Sequence, residues 1–376
     1  MILHPNNLTA RQLKEKFISN NMFEYIDTKE KLIEACDELK QEKELAIDLE
    51  CENNLHHYGA YISLIQISSK TKNYIIDILI LGNLDPLVKV LENPKILKVF
   101  HDVDFDFRML NSQLNCRPKN IFNTQMAAML LGKEKLGLGD LLDEYFNVKK
   151  IKKFQMADWT RRPLNEDMLS YAIGDTTTLL KLKDVLKKEL GPRLKWAEEE
   201  FKSAEEKEWE YTQGGFDGIK GFSGLTDQQR AIAKRLYQLR ERIAKKVDRP
   251  IHFIFNNRRL IEFSIHPPQW NKLTGVHPIV KRQTLEFIEE VKKAKSEKIL
   301  FPEVHRKKFD IKHKEKFQLI GEVQEKLGKK LGIAKHLLMN KDQMIEIVIS
   351  RKLDCLKDWQ KELVKPHLTD VLEKSS

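Results

Sequence analysis

The stretch Leu45-Ala46-Ile47-Asp48-Leu49-Glu50 predicts an apolar β-strand that ends in two acids. Because strand side chains alternate between the two faces of a sheet, Asp48 and Glu50 project from the same face. Two carboxylates held this close repel each other unless a cation lies between them. Acids are also common at strand ends that bind nothing, so the pair indicates a cation site only in combination with other residues.

Strand and helix patterns alternate around this stretch. Residues 61–68 and 74–78 are rich in β-branched side chains, and they predict an antiparallel meander with the first strand. Residues 96–100 predict a short buried strand, and residues 165–188 predict one long helix that a Gly-Pro pair ends. The N-terminal half is therefore predicted to be a mixed α/β domain.

Further acids follow two of these elements. His101-Asp102-Val103-Asp104-Phe105-Asp106 comes directly after the buried strand, where α/β sheets usually bind ligands, although one of its acids could cap a helix. Tyr171 and Asp175 are four residues apart in the predicted helix and would share one face. A solvent-facing acid beside a half-buried tyrosine explains that pair equally well in isolation.

Taken together, these acids predict a site with four carboxylates. Oxygen ligands of this kind suit hard divalent cations such as Mg²⁺ or Mn²⁺. Two such ions about 4 Å apart would activate a water and stabilise the leaving oxygen of an attack on a phosphodiester. The combination therefore indicates a nuclease.

The sequence resembles the DEDD exonucleases of ribonuclease H-like fold. It is similar to the tyrosine-containing branch typified by ribonuclease D and the exosome-associated exonuclease. Besides the acids and the tyrosine, three segments carry the resemblance: Leu64-Ile65-Gln66-Ile67, Phe122-Asn123-Thr124-Gln125-Met126-Ala127-Ala128, and Asp158-Trp159-Thr160-Arg161-Arg162-Pro163-Leu164. The resemblance implies a ribonuclease H-like exonuclease domain with a mixed sheet.

The same resemblance implies a role for each matching residue. Asp48 would bridge two metal ions, Mg²⁺ or Mn²⁺, and Glu50 and Asp175 would serve the ion that holds the attacking water. Asp106 would bind the other ion, because the family's second acid lies five residues after a histidine. Tyr171 would position the nucleophilic water through its hydroxyl.

Four further residues are candidates for substrate contacts. His57 and Tyr58 lie in a loop that departs from the ribonuclease D consensus, and they could stack on a base, bind a phosphate or simply be solvated. A histidine at the position of His101 is also found in the family. His101 would contact substrate, support a metal ligand or serve as a buried structural histidine. Arg161 could contact the RNA backbone or remain an exposed charge.

The C-terminal half predicts only helices. Five of the 16 glycines lie in residues 214–224, which is typical of a linker, and Thr226 then begins a capping-box pattern. A weak repeat follows at an offset of 84 residues, so that His252 corresponds to His336 and Asn256 to Asn340. Both copies resemble the helicase-and-ribonuclease-D C-terminal (HRDC) domain.

This layout predicts four parts of the chain. They are an exonuclease domain, a glycine-rich linker and two HRDC-like helical domains, at residues 1–205, 206–224, 225–295 and 296–376. The net charge of the chain is +10, and residues 216–376 carry +14, which leaves −4 for residues 1–215. A basic C-terminal half suits a polyanion such as nucleic acid, although lysine-rich surfaces also serve solubility.

Composition narrows the cellular setting. The chain has no apolar run near the ~20 residues of a membrane span, and no basic start followed by an apolar stretch. Its four cysteines form no Cys-x-x-Cys pair, which predicts ordinary thiols rather than disulfides or a zinc site. We therefore expect a cytoplasmic protein that does not bind membranes.

The leading hypothesis is a metal-dependent 3′ to 5′ exoribonuclease that acts as a monomer. It would release nucleoside 5′-monophosphates from RNA with a free 3′ end, and the resemblance implies that precursors of transfer RNA are substrates. A DNA exonuclease with the same site is the first alternative. The second is a nucleic-acid-binding adaptor with a silent domain, which the presence of all four acids and Tyr171 disfavours.

Overall fold

The computed structural model describes residues 23–150, 153–212, 214–297 and 311–373. Within these residues, six strands form one mixed sheet in the order β1-β4-β3-β2-β5-β6. The strands are β1 (Glu24–Ile26), β2 (Glu44–Asn53), β3 (Ala60–Ser68), β4 (Asn73–Asp77), β5 (Leu97–Phe100) and β6 (Ile121–Asn123). The predicted mixed α/β fold is confirmed.

Strand β2 lies in the middle of this sheet. It pairs with β3 in antiparallel fashion, as the meander predicted, and with β5 in parallel fashion. The pairing with β5 ends at Ala46, so Asp48 and Glu50 lie just beyond it. A register shift between Glu50 and Cys51 marks a bulge, a feature that is common next to active sites because it redirects side chains.

Eight helices pack around the sheet in the described N-terminal half. They are α1 (Lys29–Leu39), α2 (Asp85–Leu91), α3 (Asp104–Leu114), α4 (Thr124–Leu130), α5 (Leu138–Phe146), α6 (Glu166–Gly174), α7 (Leu179–Leu190) and α8 (Leu194–Glu206). Thr28 caps α1 by accepting a hydrogen bond from the backbone N–H of Lys31.

The prediction of one continuous helix over residues 165–188 was wrong. The structure has α6 and α7 instead, separated by Asp175-Thr176-Thr177-Thr178. β-Branched threonines are poor helix formers, and the Thr176 hydroxyl bonds to the carbonyl of Ile173 at 3.2 Å and to the Ser68 hydroxyl at 2.6 Å. Asp175 therefore lies at the end of α6 and not inside a helix.

Two helical modules follow the α/β domain in the described residues. The first contains α9 (Asp227–Lys246), α10 (Ile251–Ile254), α11 (Asn257–Ile265), α12 (Pro278–Arg282) and α13 (Thr284–Ser296), and the second contains α14 (Ile311–Leu331), α15 (Lys335–Leu338), α16 (Lys341–Ser350) and α17 (Asp358–Glu373). Helix α10 begins 84 residues before α15, and Asn256 and Asn340 cap the helices that follow. The predicted internal repeat is therefore present.

The second module packs against the α/β domain. Its apolar residues belong to the same buried cluster as those of α7 and α8, and the ring of Trp359 stacks on that of Trp196 with centroids 5.3 Å apart. Arg193 joins the two parts by donating hydrogen bonds of 2.7 Å to the carbonyls of Leu130 and Leu331. The first module instead has a separate core, in which Trp270 stacks on Phe287.

The glycine-rich segment also contributes to packing. Ile219 and Phe222 are buried against the first module. The domain boundaries at residues 205, 224 and 295 stay predictions.

Two further predictions from the sequence concern membrane-spanning segments and the state of the cysteines. Among the described residues, no helix is both long enough and apolar enough to cross a membrane. All four cysteines are free thiols, as predicted.

Candidate active site

Three of the predicted carboxylates converge beside β2. One carboxylate oxygen from each of Asp48, Glu50 and Asp175 lies within 4.8 Å of the other two. Asp48 and Glu50 come from the strand itself, two residues apart on the side before the bulge. Asp175 comes from a point 125 residues later in the chain than Glu50, so the sheet and α6 together must place it.

Helix α6 carries Asp175 to this position through its packing. Its buried residues Met168, Ala172 and Ile173 form a small cluster with Leu64 of β3 and Ile75 of β4. The Asn165 side chain caps the helix by accepting a hydrogen bond of 2.8 Å from the backbone N–H of Met168. The helix is thereby fixed at both its start and its buried face, so its last turn is fixed as well.

Asp106 lies in the first turns of α3. It is the buried acid among the three that follow β5, whereas Asp102 and Asp104 are exposed. Asp102 has φ +63° and turns the chain into α3, and Asp104 forms an ion pair of 2.7 Å with Arg108. These positions support the choice of Asp106 as the acid of the site.

The four carboxylates interact electrostatically. Burial and the charge of Asp175 raise the pKa of Asp48 to about 8, and burial and the charge of Asp48 raise the pKa values of Glu50 and Asp106 well above their ordinary range. Burial also raises the pKa of Asp175, although Lys150 counteracts it. Four carboxylates this close stay ionised together only where positive charge compensates them, so the ionised site calls for bound cations.

Lys150 also contacts this site, which no pattern in the sequence predicted. Its ammonium forms an ion pair with Asp175 and lies 5.5 Å from the centroid of the Tyr171 ring. Its charge also lowers the pKa values of Asp48 and Glu50 from what burial would make them. The signal in the sequence was the run of lysines at residues 149–153, which has no spacing that points to carboxylates so far away.

Tyr171 faces the same carboxylates from one turn earlier in α6. Its ring packs against Trp159 and Phe154, with centroids 6.0 and 5.7 Å away. Burial, followed by the negative charges of Asp175 and Glu50, raises the pKa of its hydroxyl. The phenol therefore stays protonated at neutral pH and keeps a hydrogen-bond donor beside the acids.

His101 directly follows β5 and is half-buried. Its Nδ1 is 2.9 Å from the Thr124 hydroxyl, and its Nε2 is buried with no hydrogen-bond partner in the described part of the chain. Burial and the nearby charge of Lys150 lower the pKa of His101 to about 4. The ring is therefore neutral at physiological pH. Its role as a substrate contact stays a prediction.

The other three candidate contacts lie further out. His57 and Tyr58 contact α9 and its end, since His57 Nδ1 is 2.6 Å from Asp248 and the Tyr58 hydroxyl donates a hydrogen bond of 2.7 Å to Glu241. Arg161 is exposed and paired with Asp158. Substrate binding by these residues stays a prediction, but the first two belong to an interface between domains.

The donor set fits divalent metal ions. Asp48, Glu50, Asp106 and Asp175 offer carboxylate oxygens, which are the ligands that Mg²⁺ and Mn²⁺ prefer. Gln66 of β3 pairs directly with Asp48 of β2 and is fully buried. Neither of its side-chain polar atoms has a hydrogen-bond partner among the described residues. A cation among the acids and its bound water would neutralise the repulsion and supply further polar partners.

The raised pKa of Asp48 predicts a pH-dependent effect of metal ions. In the folded state Asp48 keeps its proton up to about pH 8, whereas in the unfolded chain its pKa is 3.8. In EDTA, Asp48 therefore contributes fully to stability below pH 3.8, and this contribution is lost as pH rises through about 8. Bound Mg²⁺ requires the ionised form. We therefore expect Mg²⁺ to raise the Tm by more at about pH 8 than at about pH 5.

Thermal unfolding in EDTA and in excess Mg²⁺ at both pH values measures this effect. The Asp48→Asn variant is the control, and its gain in Tm from Mg²⁺ should be small at both. An equal gain for the wild-type chain at the two pH values would contradict the electrostatic description.

Comparison with known proteins agrees with this geometry. Residues 23–191 match the family described as 3′-5′ exonuclease, and residues 229–294 match the HRDC domain. The exosome complex exonuclease RRP6 of Saccharomyces cerevisiae is 30% identical over 264 residues, which cover 65% of this chain and 36% of the relative. The chain thus spans about a third of the length of that protein.

Two solved structures resemble the whole arrangement. The catalytic core of RRP6 from Trypanosoma brucei has 27% identity and a TM-score of 0.64, over 72% of this chain and 79% of that one. Ribonuclease D of Escherichia coli has 21% identity and a TM-score of 0.71 over 93% and 98% of the two chains, and shows the shared fold. Residues 23–191 thus form a domain of the 3′-5′ exonuclease type and residues 229–294 an HRDC domain, in a fold shared with ribonuclease D.

Proposed function

We propose that this chain is a metal-dependent 3′ to 5′ exoribonuclease that releases nucleoside 5′-monophosphates from RNA. The observation that carries the proposal is the convergence of Asp48, Glu50 and Asp175 within 4.8 Å of one another, with Asp106 close enough to raise the pKa of Glu50. The RRP6 relatives support RNA as the substrate class.

The chemistry assigned to the carboxylates is that of a site with two metal ions. Two Mg²⁺ or Mn²⁺ ions would activate a water and stabilise the leaving oxygen of the phosphodiester. Asp48 would help to hold both ions, because its charge acts on both Glu50 and Asp106. Glu50 and Asp175 would hold the ion on the side of Tyr171.

Tyr171 and Lys150 complete the site without binding metal. The protonated phenol of Tyr171 orients the attacking water through a hydrogen bond, and its packing on Trp159 holds the ring in place. The ammonium of Lys150 places a positive charge beside Asp175. A phosphate of the substrate bound at this site would also need such a counter-charge.

The helical modules are proposed to hold the RNA through its phosphates, without reading its sequence. The basic residues of the modules differ in their availability for this role. Arg235 forms ion pairs with Glu290 and Glu297. Arg242 lies 3.6 Å from Glu286 and is largely exposed. Phosphate contacts are therefore expected from exposed residues such as Arg242 and not from Arg235.

Matched oligonucleotides test the proposed activity. RNA and DNA of the same sequence, each with a free or a blocked 3′ end, are incubated with the full chain and Mg²⁺ or Mn²⁺, and the products are resolved by length. We expect stepwise shortening of RNA with a free 3′ end, release of nucleoside 5′-monophosphates, and no reaction in EDTA.

The alternatives give different products in the same assay. Shortening of DNA but not RNA would indicate a DNA exonuclease, and binding without any shortening would indicate a silent adaptor. Cleavage of RNA with a blocked 3′ end at an undiminished rate would indicate an endonuclease and overturn the proposal.

The substrate, assembly and location are proposed at a finer level. We propose transfer RNA precursors as substrates, a monomer as the active form and the cytoplasm as its location. The names of the yeast, fly and human relatives refer instead to the exosome complex. Processing of a transfer RNA precursor with a 3′ extension, compared with an unrelated structured RNA of equal 3′ overhang, tests the substrate proposal.

A further inference from the structure

A second group of metal-ligand side chains lies outside the carboxylate site. Glu52, His56 and Asp158 each offer one ligand atom, and these atoms all lie within 4.8 Å of one another. Glu52 is 2% exposed and follows the bulge of β2, His56 lies in the loop between β2 and β3, and Asp158 lies in the segment before α6. Three separate parts of the exonuclease domain therefore meet at this point.

In this group, a carboxylate oxygen of Glu52 faces a ring nitrogen of His56. Glu52 Oε1 accepts hydrogen bonds from the backbone N–H groups of Leu55 and His56, at 2.5 and 3.0 Å. Glu52 Oε2 is 3.5 Å from His56 Nδ1, which is buried and has no hydrogen-bond partner in the described chain. A buried ring nitrogen without a partner is costly unless something binds it.

His57 adds a second imidazole to the group. Its Nε2 is 3.5 Å from Asp158 Oδ2, and its Nδ1 is 2.6 Å from Asp248 Oδ2 at the end of α9. Histidines that bind metals usually give their other ring nitrogen to a carboxylate, which fixes the orientation of the ring. Asp248 holds His57 in that way, with Nε2 directed toward Asp158.

We propose that Glu52, His56, His57 and Asp158 bind one Zn²⁺ ion in a site separate from the catalytic carboxylates. Two imidazole nitrogens and two carboxylate oxygens suit Zn²⁺, whereas Mg²⁺ prefers oxygen alone. In a tetrahedral zinc site the ligand atoms lie about 3.4 Å apart. Two pairs of the group, Glu52 with His56 and His57 with Asp158, are already at 3.5 Å, close to this spacing.

The ion pair between Arg161 and Asp158 competes with this site. Arg161 Nε lies 3.1 Å from Asp158 Oδ2, but its side chain is 79% exposed and can rotate into solvent. Burial alone would raise the pKa of Asp158, whereas the hydrogen bonds from Thr160 and Arg161 lower it to about 2. The carboxylate is therefore ionised at neutral pH.

A zinc ion here would connect the exonuclease domain to the first helical module. Its ligands come from β2, the β2–β3 loop and the segment that contains Trp159, and Asp248 of the module orients one of them. The loop with His57 and Tyr58 would then be fixed against α9 and not free beside the carboxylate site.

Zinc binding by the full chain tests the proposal. Metal-free protein is dialysed against Zn²⁺ in the presence of excess Mg²⁺, which occupies the carboxylate site, and bound zinc is measured by elemental analysis. We expect one zinc per chain, loss of that zinc in His56→Gln and its retention in His266→Gln, an exposed histidine of the first module. Asp248→Asn keeps all four ligands and should weaken zinc binding about 10- to 100-fold.

These variants also separate a site from a folding defect. Circular dichroism establishes that each variant is folded, and Asp248 is 65% exposed, so that its replacement leaves the core intact. Wild-type protein that binds no zinc under these conditions would overturn the proposal. So would undiminished zinc affinity in both His56→Gln and Asp248→Asn. Because Mg²⁺-dependent RNA shortening is measured separately, failure here leaves the proposed exonuclease activity standing.

Discussion

Replacement of Asp106 by asparagine is expected to abolish RNA shortening while RNA binding is largely kept. The carboxylate is buried beside Asp48, and its loss removes a charged ligand from one of the two metal ions. Such ions stabilise the transition state by several kcal/mol, so the rate should fall at least about 10³-fold. The amide has nearly the same size, so α3 should keep its packing.

Asp104→Asn is the matched control, because Asp104 lies in the same helix only two residues away but faces solvent. Its ion pair with Arg108 is exposed and contributes little to stability. Single-turnover rates and binding of a free-ended RNA, measured for both variants, test the prediction. A near-normal rate for Asp106→Asn, or a large loss for Asp104→Asn, would mean that the wrong acid was chosen.

Local sequence patterns were sufficient to predict the strands that hold the site. The alternation in Leu45-Ala46-Ile47-Asp48-Leu49-Glu50 predicts which side chains share a face, and the structure has both acids beside Asp175. The 84-residue offset likewise predicts the helix starts of the second module. Each of these features depends on residues that are close in the chain, or on a repeat that the sequence itself displays.

Contacts between distant segments could not be predicted in the same way. The ion pair of Lys150 with Asp175 joins residues 25 positions apart, and no pattern in the sequence predicts it. The contact of His57 with Asp248 spans 191 residues. The break after α6 was misjudged for a different reason: the apolar spacing continues through the threonines, but their hydroxyls bond to the backbone and to Ser68.

Arg162 holds the segment before α6 onto the sheet. Its guanidinium donates two hydrogen bonds to Asp77, of 2.5 Å from Nε and 2.6 Å from a terminal nitrogen, and one of 2.7 Å to the carbonyl of Trp159. Asp77 is fully buried at the end of β4 and also accepts a hydrogen bond from the Tyr25 hydroxyl. The pair therefore fixes Trp159, against which the ring of Tyr171 packs.

Arg162→Ala is expected to destabilise the exonuclease domain by about 3–5 kcal/mol, because it leaves the Asp77 carboxylate buried without its counter-charge. It should also slow RNA shortening, since Trp159 no longer holds Tyr171 in place.

Arg161→Ala is the matched control for this prediction. It removes the neighbouring arginine, which is 79% exposed and makes a single ion pair, so the free energy of unfolding should change by less than about 1 kcal/mol. Urea unfolding of the two variants in EDTA, followed by tryptophan fluorescence, measures the difference. Asp77→Asn combined with Arg162→Ala should recover part of the lost stability, because the uncompensated charge is then gone. Equal effects of the two arginine replacements would show that the Arg162–Asp77 pair does not fix this segment.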